Sequence, residues 1–328
     1  MLKQELPPNV DNGFTSCYEA AVSHIVYNNF LNYSYMFTMF WGFEYRFPDG
    51  KDTLKGRFIG GGLYKSTNYL YDLYGLTFID TKINDMQEFI SALELEQSQG
   101  NSIILAVDTF DCPWNIGYQK FNMEHFIVVT HFDLENSTLH CQDSFCNMEN
   151  IKLHINSLKH MKEIRYIRYR MAKNAPLQNI FPFELLYRAA VHYYRIEKSH
   201  DNIIAFSREL AQNDIYATLT SNDLTIVGLD PFFIKFKGIV SGRKNLLLFI
   251  KENGGNWPIS TYLTEMRHIS TAYNDVYLLL LKCMSRKGNV KYMQNAAEQL
   301  QEIAAREQKI AKKIIEDRGA NENCSSAT

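Results

Sequence analysis

"HFIVVTHFDLENSTLHCQD", residues 125–143, is the stretch whose reading decides the fold. Two runs dense in Ile, Val, Phe and Thr flank an Asp-, Glu-, Asn- and Ser-containing break, as two strands joined by a turn at Asn136 would. The runs "SIILAVD" (102–108) and "EIRYIRYRM" (163–171) read the same way. In the second, Ile164 and Tyr166 alternate with Arg165, Ile167 and Tyr169, a mixed pattern that suits a strand partly covered on both faces. An antiparallel sheet is therefore expected in the first half of the chain.

Helices frame that sheet. One is expected to begin near Cys17 and another to cover "NDMQEFISALELEQSQG" (84–100), with Asn84 or Asp85 capping its start and Gly100 closing its end. Beyond Ala172 the strand signals fade into runs such as "PFELLYRAAVHYYRIEKS" (182–199) and "YMQNAAEQLQEIAAREQKIAKKIIEDRG" (292–319). Pro182, Pro231 and Pro258 stand where a helix can start at little cost in hydrogen bonding. The expected class is α+β: an N-terminal helix packed on an antiparallel sheet in residues 1–172, then an all-helical domain in residues 173–328.

The bulk numbers narrow the function. With 328 residues, 46% hydrophobic and 21% charged, the chain can bury a large core. A net charge of -2 provides no positive field for a polyanion or a phospholipid surface, so neither nucleic acid nor membrane is an expected partner. The N-terminal "MLKQELPPNVDNG" lacks the basic start and apolar run of a secretory signal, and no apolar run approaches the roughly 20 residues of a spanning helix. A cytoplasmic protein is expected, its six scattered cysteines (Cys17, Cys112, Cys141, Cys146, Cys283 and Cys324) free thiols. Cys141 and Cys146 with His140 lack a second Cys or His pair at zinc-site spacing, so no metal and no other cofactor is expected.

Three residues carry candidate chemistry. Cys17 follows the turn-like "DNGFTS" and opens the helical "CYEAAVSHIVYNN", and unpaired N–H groups at a helix start stabilise a thiolate. A free cysteine is also a common core residue, and this stretch alone leaves both readings open. His125 stands at the mouth of the apolar run "FIVV", and Asp143 ends the next strand, beside it if the two runs form a hairpin. A carboxylate there would orient the imidazole and stabilise its charged form. Each also has a plainer reading: His131 on the same strand competes for the role of base, and Asp143 can be a turn residue. Asn12 is the candidate oxyanion donor beside the Cys17 N–H, or simply part of a tight turn. Cys, His, then Asp in chain order is the arrangement of papain-like enzymes.

The segments "NGFTSCYEAAVSHIVYNNFLNYSYMFTMFWGFEYRF" (12–47), "IILAVDTFDCPWNIGYQKFNMEHFIVVTHFD" (103–133) and "LHCQDSF" (139–145) resemble the N-terminal domain of the butirosin biosynthesis protein H family. That family is similar to bacteriocin-processing cysteine peptidases and shares the papain-like fold. The resemblance implies acyl transfer in antibiotic assembly, with Cys17 as nucleophile, His125 as base and Asp143 as orienting group. It implies an acyl or peptidyl carrier protein bearing a phosphopantetheine thioester as donor, and a small amine (diamine, aminoglycoside or amino acid) as acceptor. Two departures bear on donor and acceptor recognition: Ser16 stands where the family often has His or Asn, and its Gly-rich stretch is reduced here to "WGFEY".

Three functions are compatible with these residues: amide-forming acyl transfer, hydrolysis of a peptide or amide by the same triad, and binding without catalysis. The 20 Tyr and 21 Phe fit a site for a large apolar or aromatic acyl chain. Phe40, Trp41 and Tyr45 are the expected wall of that site, with Trp114 and Tyr118 on the loop before His125; core packing is the competing reading for each. An acidic carrier protein would need a local basic patch, to which "RYIRYR" (165–170) and "GRKNLLLFIK" (242–251) are candidate contributors.

Overall fold

The structure, a computed structural model, describes residues 6, 16–46, 54–61, 66–158, 161–172, 181–212, 230–255, 259–286 and 288–325. The chain is α+β and divides into two compact units, Met1–Tyr33 with Thr67–Gln178 and Ser34–Ser66 with Asn179–Thr328.

The first unit is built from α1 (Cys17–Asn28), α2 (Ser66–Tyr74), β1 (Leu76–Ile83), α3 (Met86–Ser98), β2 (Ile103–Asp108), β3 (Glu124–Asp133), β4 (Thr138–Asp143), β5 (Met148–His154) and β6 (Ile164–Met171). The strands form one antiparallel sheet in the order β1-β6-β2-β3-β4-β5. Period-2 alternation assigns its two faces. Ile103, Leu105 and Val107 of β2 and Ile127 and Val129 of β3 cluster with Phe89 and Leu93 of α3. The intervening Ile104, Ala106, Phe126 and Val128 are buried toward α1, whose Tyr18 ring meets Phe126 edge-on at 5.4 Å. Both faces are covered, so truncating a residue such as the fully buried Leu105 to Ala costs about 2–5 kcal/mol.

The helix ends follow local rules. Ser16, in an extended conformation, caps α1 by accepting the Glu19 N–H at 3.3 Å, and Ala20, Ala21, Val22, Ile25 and Val26 bury the face behind it. Asp85 caps α3 by accepting the Gln87 N–H at 2.7 Å, and Gly100, with φ of +75°, ends the turn that follows. The four strands expected from the sequence are present. The edge strands β1 and β5 were not expected, because an edge strand buries few side chains and its apolar alternation is weak.

The second unit joins a 3₁₀ helix at Tyr33–Trp41 and a two-stranded pairing of Glu44–Tyr45 with Phe58–Gly60 to helices at Pro182–Val191, Ser199–Gln212, Pro231–Glu252, Leu263–Ser285 and Val290–Ser325. Pro182 and Pro231 begin their helices, as expected; Pro258 lies outside the described residues. Phe43, Phe58, Phe206, Phe232 and Phe236 form its aromatic core. Arg243 is completely buried, bonded to Glu307 at 2.9 Å and to the Gly42 carbonyl at 2.7 Å. Gly242 is needed there, since a Cβ would stand 2.8 Å from the Phe40 carbonyl oxygen. The expected break after residue 172 left Ser34–Ser66 in the first domain, whereas this segment clusters with the helices. Its Phe43 and Phe58 find their ring partners on the helix at Ser199–Gln212. Among the described residues, no helix is long and apolar enough to cross a membrane.

Candidate active site

Cys17 is the first residue of α1 and is half-buried, its backbone directed by the Ser16 cap. The position offers a thiol the convergent N–H groups and positive dipole end of a helix start. On the sheet, β2 pairs Val107 with His125, and β3 pairs Val128 with Gln142, which brings the start of β3 beside the end of β4. His125 and Asp143 meet across that edge: Nε2 donates to Asp143 Oδ2 at 2.6 Å, with both side chains buried. The thiols of Cys146 and Cys17 lie close enough to the His125 imidazole to favour its charged form.

Asp143 is held from several sides. Trp114 Nε1–H donates to Oδ2 at 2.8 Å, and the N–H groups of Phe145 and Cys146 donate to Oδ1 at 3.0 Å each. Burial works against the carboxylate, yet the bond from His125 and these further donors hold its pKa below the usual range. Burial also disfavours the charged form of His125, but the Asp143 bond and the two thiols outweigh it, and the imidazole pKa is raised. A buried carboxylate bonded to one imidazole nitrogen fixes the ring and stabilises its protonated form.

The loop between β2 and β3 carries the Trp114 contact. Asp108 Oδ1 accepts the N–H of Phe110 at 2.9 Å and of Met123 at 3.2 Å, closing the loop base. Gly117 packs so tightly that a Cβ would stand 2.8 Å from both Thr109 and Phe121. Asn115 ties the loop to the β4–β5 turn, its Nδ2 donating to Cys146 Sγ at 3.8 Å. Trp114, expected on an acyl-site wall, is a hydrogen-bond donor to Asp143.

The remaining candidates are distributed as follows. Asn12 lies outside the described residues. Tyr118 is exposed, and its hydroxyl accepts from Gln119 Nε2 at 3.2 Å. Phe40, Trp41 and Tyr45, expected as acyl-site wall, are buried in the core of the second unit: Trp41 stacks on Tyr193 at 4.9 Å and Tyr45 meets Phe206 at 5.5 Å. Large rings on a short, irregular segment need partners, and those helices supply them. His24 bonds Ser144 Oγ at 3.1 Å and burial lowers its pKa to about 4, so it stays neutral at pH 7. His131 pairs with His140 at the other end of β3, beside a cavity of about 1260 Å³ at the C-terminal end of α1.

The sequence reading missed the surroundings of His125 and Asp143. It grouped Cys146 with Cys141 and His140, but Cys141 faces the hydrophobic cluster while Cys146, on the turn after β4, reaches His125. The Asp-x-x-Cys spacing from Asp143 was the available signal, because a turn after a strand can fold its third residue back over the strand end. One nitrogen of His125, one oxygen of Asp143 and the Cys146 sulfur lie within 4.8 Å of one another, a donor set able to hold a metal ion. Compared with known proteins, the chain matches no family model and no curated sequence.

Proposed function

We propose that the chain is a cysteine-dependent acyltransferase of papain-like architecture, acting inside the cell and forming amides in natural-product assembly. The observation that carries this reading is the buried His125–Asp143 pair, 2.6 Å apart, on neighbouring strands against which the helix that Cys17 opens is packed. In the proposed reaction the Cys17 sulfur attacks the carbonyl carbon of a carrier-protein thioester, and the C–S bond to the carrier breaks. His125 takes the Cys17 thiol proton, which leaves with the carrier thiol. An amine then attacks the acyl-enzyme, His125 removes its proton, and the Cys17 sulfur departs as the amide forms. Asp143 fixes the ring and stabilises the imidazolium in both halves.

Hydrolysis is the second reading, since the same three residues serve a peptidase or amidase when water replaces the amine. The test is intact mass spectrometry of the protein mixed with an acyl-carrier thioester, followed by candidate amines. The acyltransferase reading expects a mass increase equal to the acyl group, discharged by an amine to an amide faster than by water to the acid. Cleavage of peptides together with no adduct from any thioester would remove it in favour of the peptidase.

A further inference from the structure

We propose that His125, Asp143 and Cys146 form a site for one thiophilic divalent metal ion, of which Zn²⁺ is the type. Three unlike donors converge here: an imidazole nitrogen, a carboxylate oxygen and a sulfur, all within 4.8 Å of one another. Imidazole, carboxylate and thiolate are the ligands a tetrahedral zinc site uses, and three protein ligands leave one position open. His125 and Asp143 are almost wholly buried, and Cys146 is half-buried.

The supporting contacts remain available when the metal is bound. Asp143 Oδ1 keeps the N–H groups of Phe145 and Cys146, and Oδ2 keeps Trp114 Nε1–H. Hydrogen bonds of this kind orient ligating carboxylates. The metal takes the place of the proton that Nε2 shares with Oδ2. Asn115 Nδ2 already donates to the Cys146 sulfur, positioning it and favouring its thiolate. Binding to the protonated imidazole releases one proton from Nε2 and one from the Cys146 thiol. The product is neutral: Zn²⁺ balanced by one thiolate and one carboxylate, with neutral imidazole as the third ligand. Cys17 is not a ligand, so the site stands or falls apart from the acyl-transfer reading.

The test is a titration of reduced, chelator-treated full-length protein with Co²⁺, which reports thiolate ligation by a near-ultraviolet charge-transfer band and tetrahedral geometry by visible bands. The wild type is expected to saturate at a single equivalent. Cys146→Ser should lose the charge-transfer band, and Trp114→Phe should weaken binding by about 10–100-fold. Cys17→Ala and Cys141→Ser should bind as the wild type does. Absence of the band in the wild type, its persistence in Cys146→Ser, or its loss in Cys17→Ala would each overturn the proposal. Should Cys146→Ser fail to fold, alkylation of the wild type decides: Zn²⁺ must protect Cys146 from iodoacetamide, and equal labelling with and without Zn²⁺ contradicts the site.

Discussion

Strand β3 carries a histidine near each end, and their surroundings differ. His125 is buried, bonded to Asp143 at 2.6 Å, and its carboxylate partner is held by Trp114 and two backbone N–H groups. His131 lines a broad cavity and packs its ring 5.5 Å from that of His140; its Nδ1 has no hydrogen-bond partner among the described residues. Sequence spacing offers two imidazoles on one strand. Only the contacts behind each ring separate a histidine prepared to hold a proton from one that lines a cavity.

The largest expected effect breaks that comparison directly. His125→Ala should lower the rate of acyl-enzyme formation by about 10³–10⁴-fold, whereas His131→Ala should leave it within about threefold, measured by quenched-flow mass spectrometry. Equal effects would erase the distinction between the two ends.

The next concerns the carboxylate. Asp143→Ala leaves three N–H donors and a buried imidazolium without their acceptor and should destabilise the fold by about 3–5 kcal/mol in denaturant unfolding. The pH dependence follows from the shifts. Because the folded pKa of Asp143 is depressed, its contribution is complete above the unfolded carboxylate value of about 3.9 and is lost as pH falls through the folded value. Because that of His125 is raised, its contribution is complete below about 6.5 and declines as pH rises toward the folded value. The difference between wild type and Asp143→Ala should therefore be greatest between about pH 4 and 6.5 and narrow on either side.

Smaller changes sharpen the account. Trp114→Phe removes one bond to Asp143 and should cost about 1–3 kcal/mol, appearing in kcat rather than KM if Trp114 acts through the carboxylate. A rise in KM alone would return Trp114 to the acyl wall. Ser16→Ala removes the cap that directs Cys17 and should cost about 1 kcal/mol by thermal unfolding.

Much of the first unit was legible because its signals are local. "HFIVVTHFD" and "STLHCQD" alternate around a turn, and "NDMQEFISALELEQSQG" carries both of its stops, so the strand pairing that joins His125 to Asp143 could be read. Ser16 with Glu19 three residues on is a capping pair that was present and unread. The edge strands were hidden because they bury few side chains. The destination of Phe40, Trp41 and Tyr45 was hidden for another reason: an aromatic run advertises burial but not the partner, and Trp41 and Tyr45 find theirs more than a hundred positions along the chain. Cys146 was assigned by sequence proximity to Cys141, while the turn after β4 folds it back to His125.

The central claim is that Cys17 is the sulfur that becomes acylated, with His125 and Asp143 behind it. Its most direct test is peptide mapping by tandem mass spectrometry after acid quench of the protein with an acyl-carrier thioester. The account predicts the acyl group on Cys17 in the wild type and in Cys146→Ser, and none in Cys17→Ala. Acyl label on Cys146, or an adduct that survives Cys17→Ala, would contradict it.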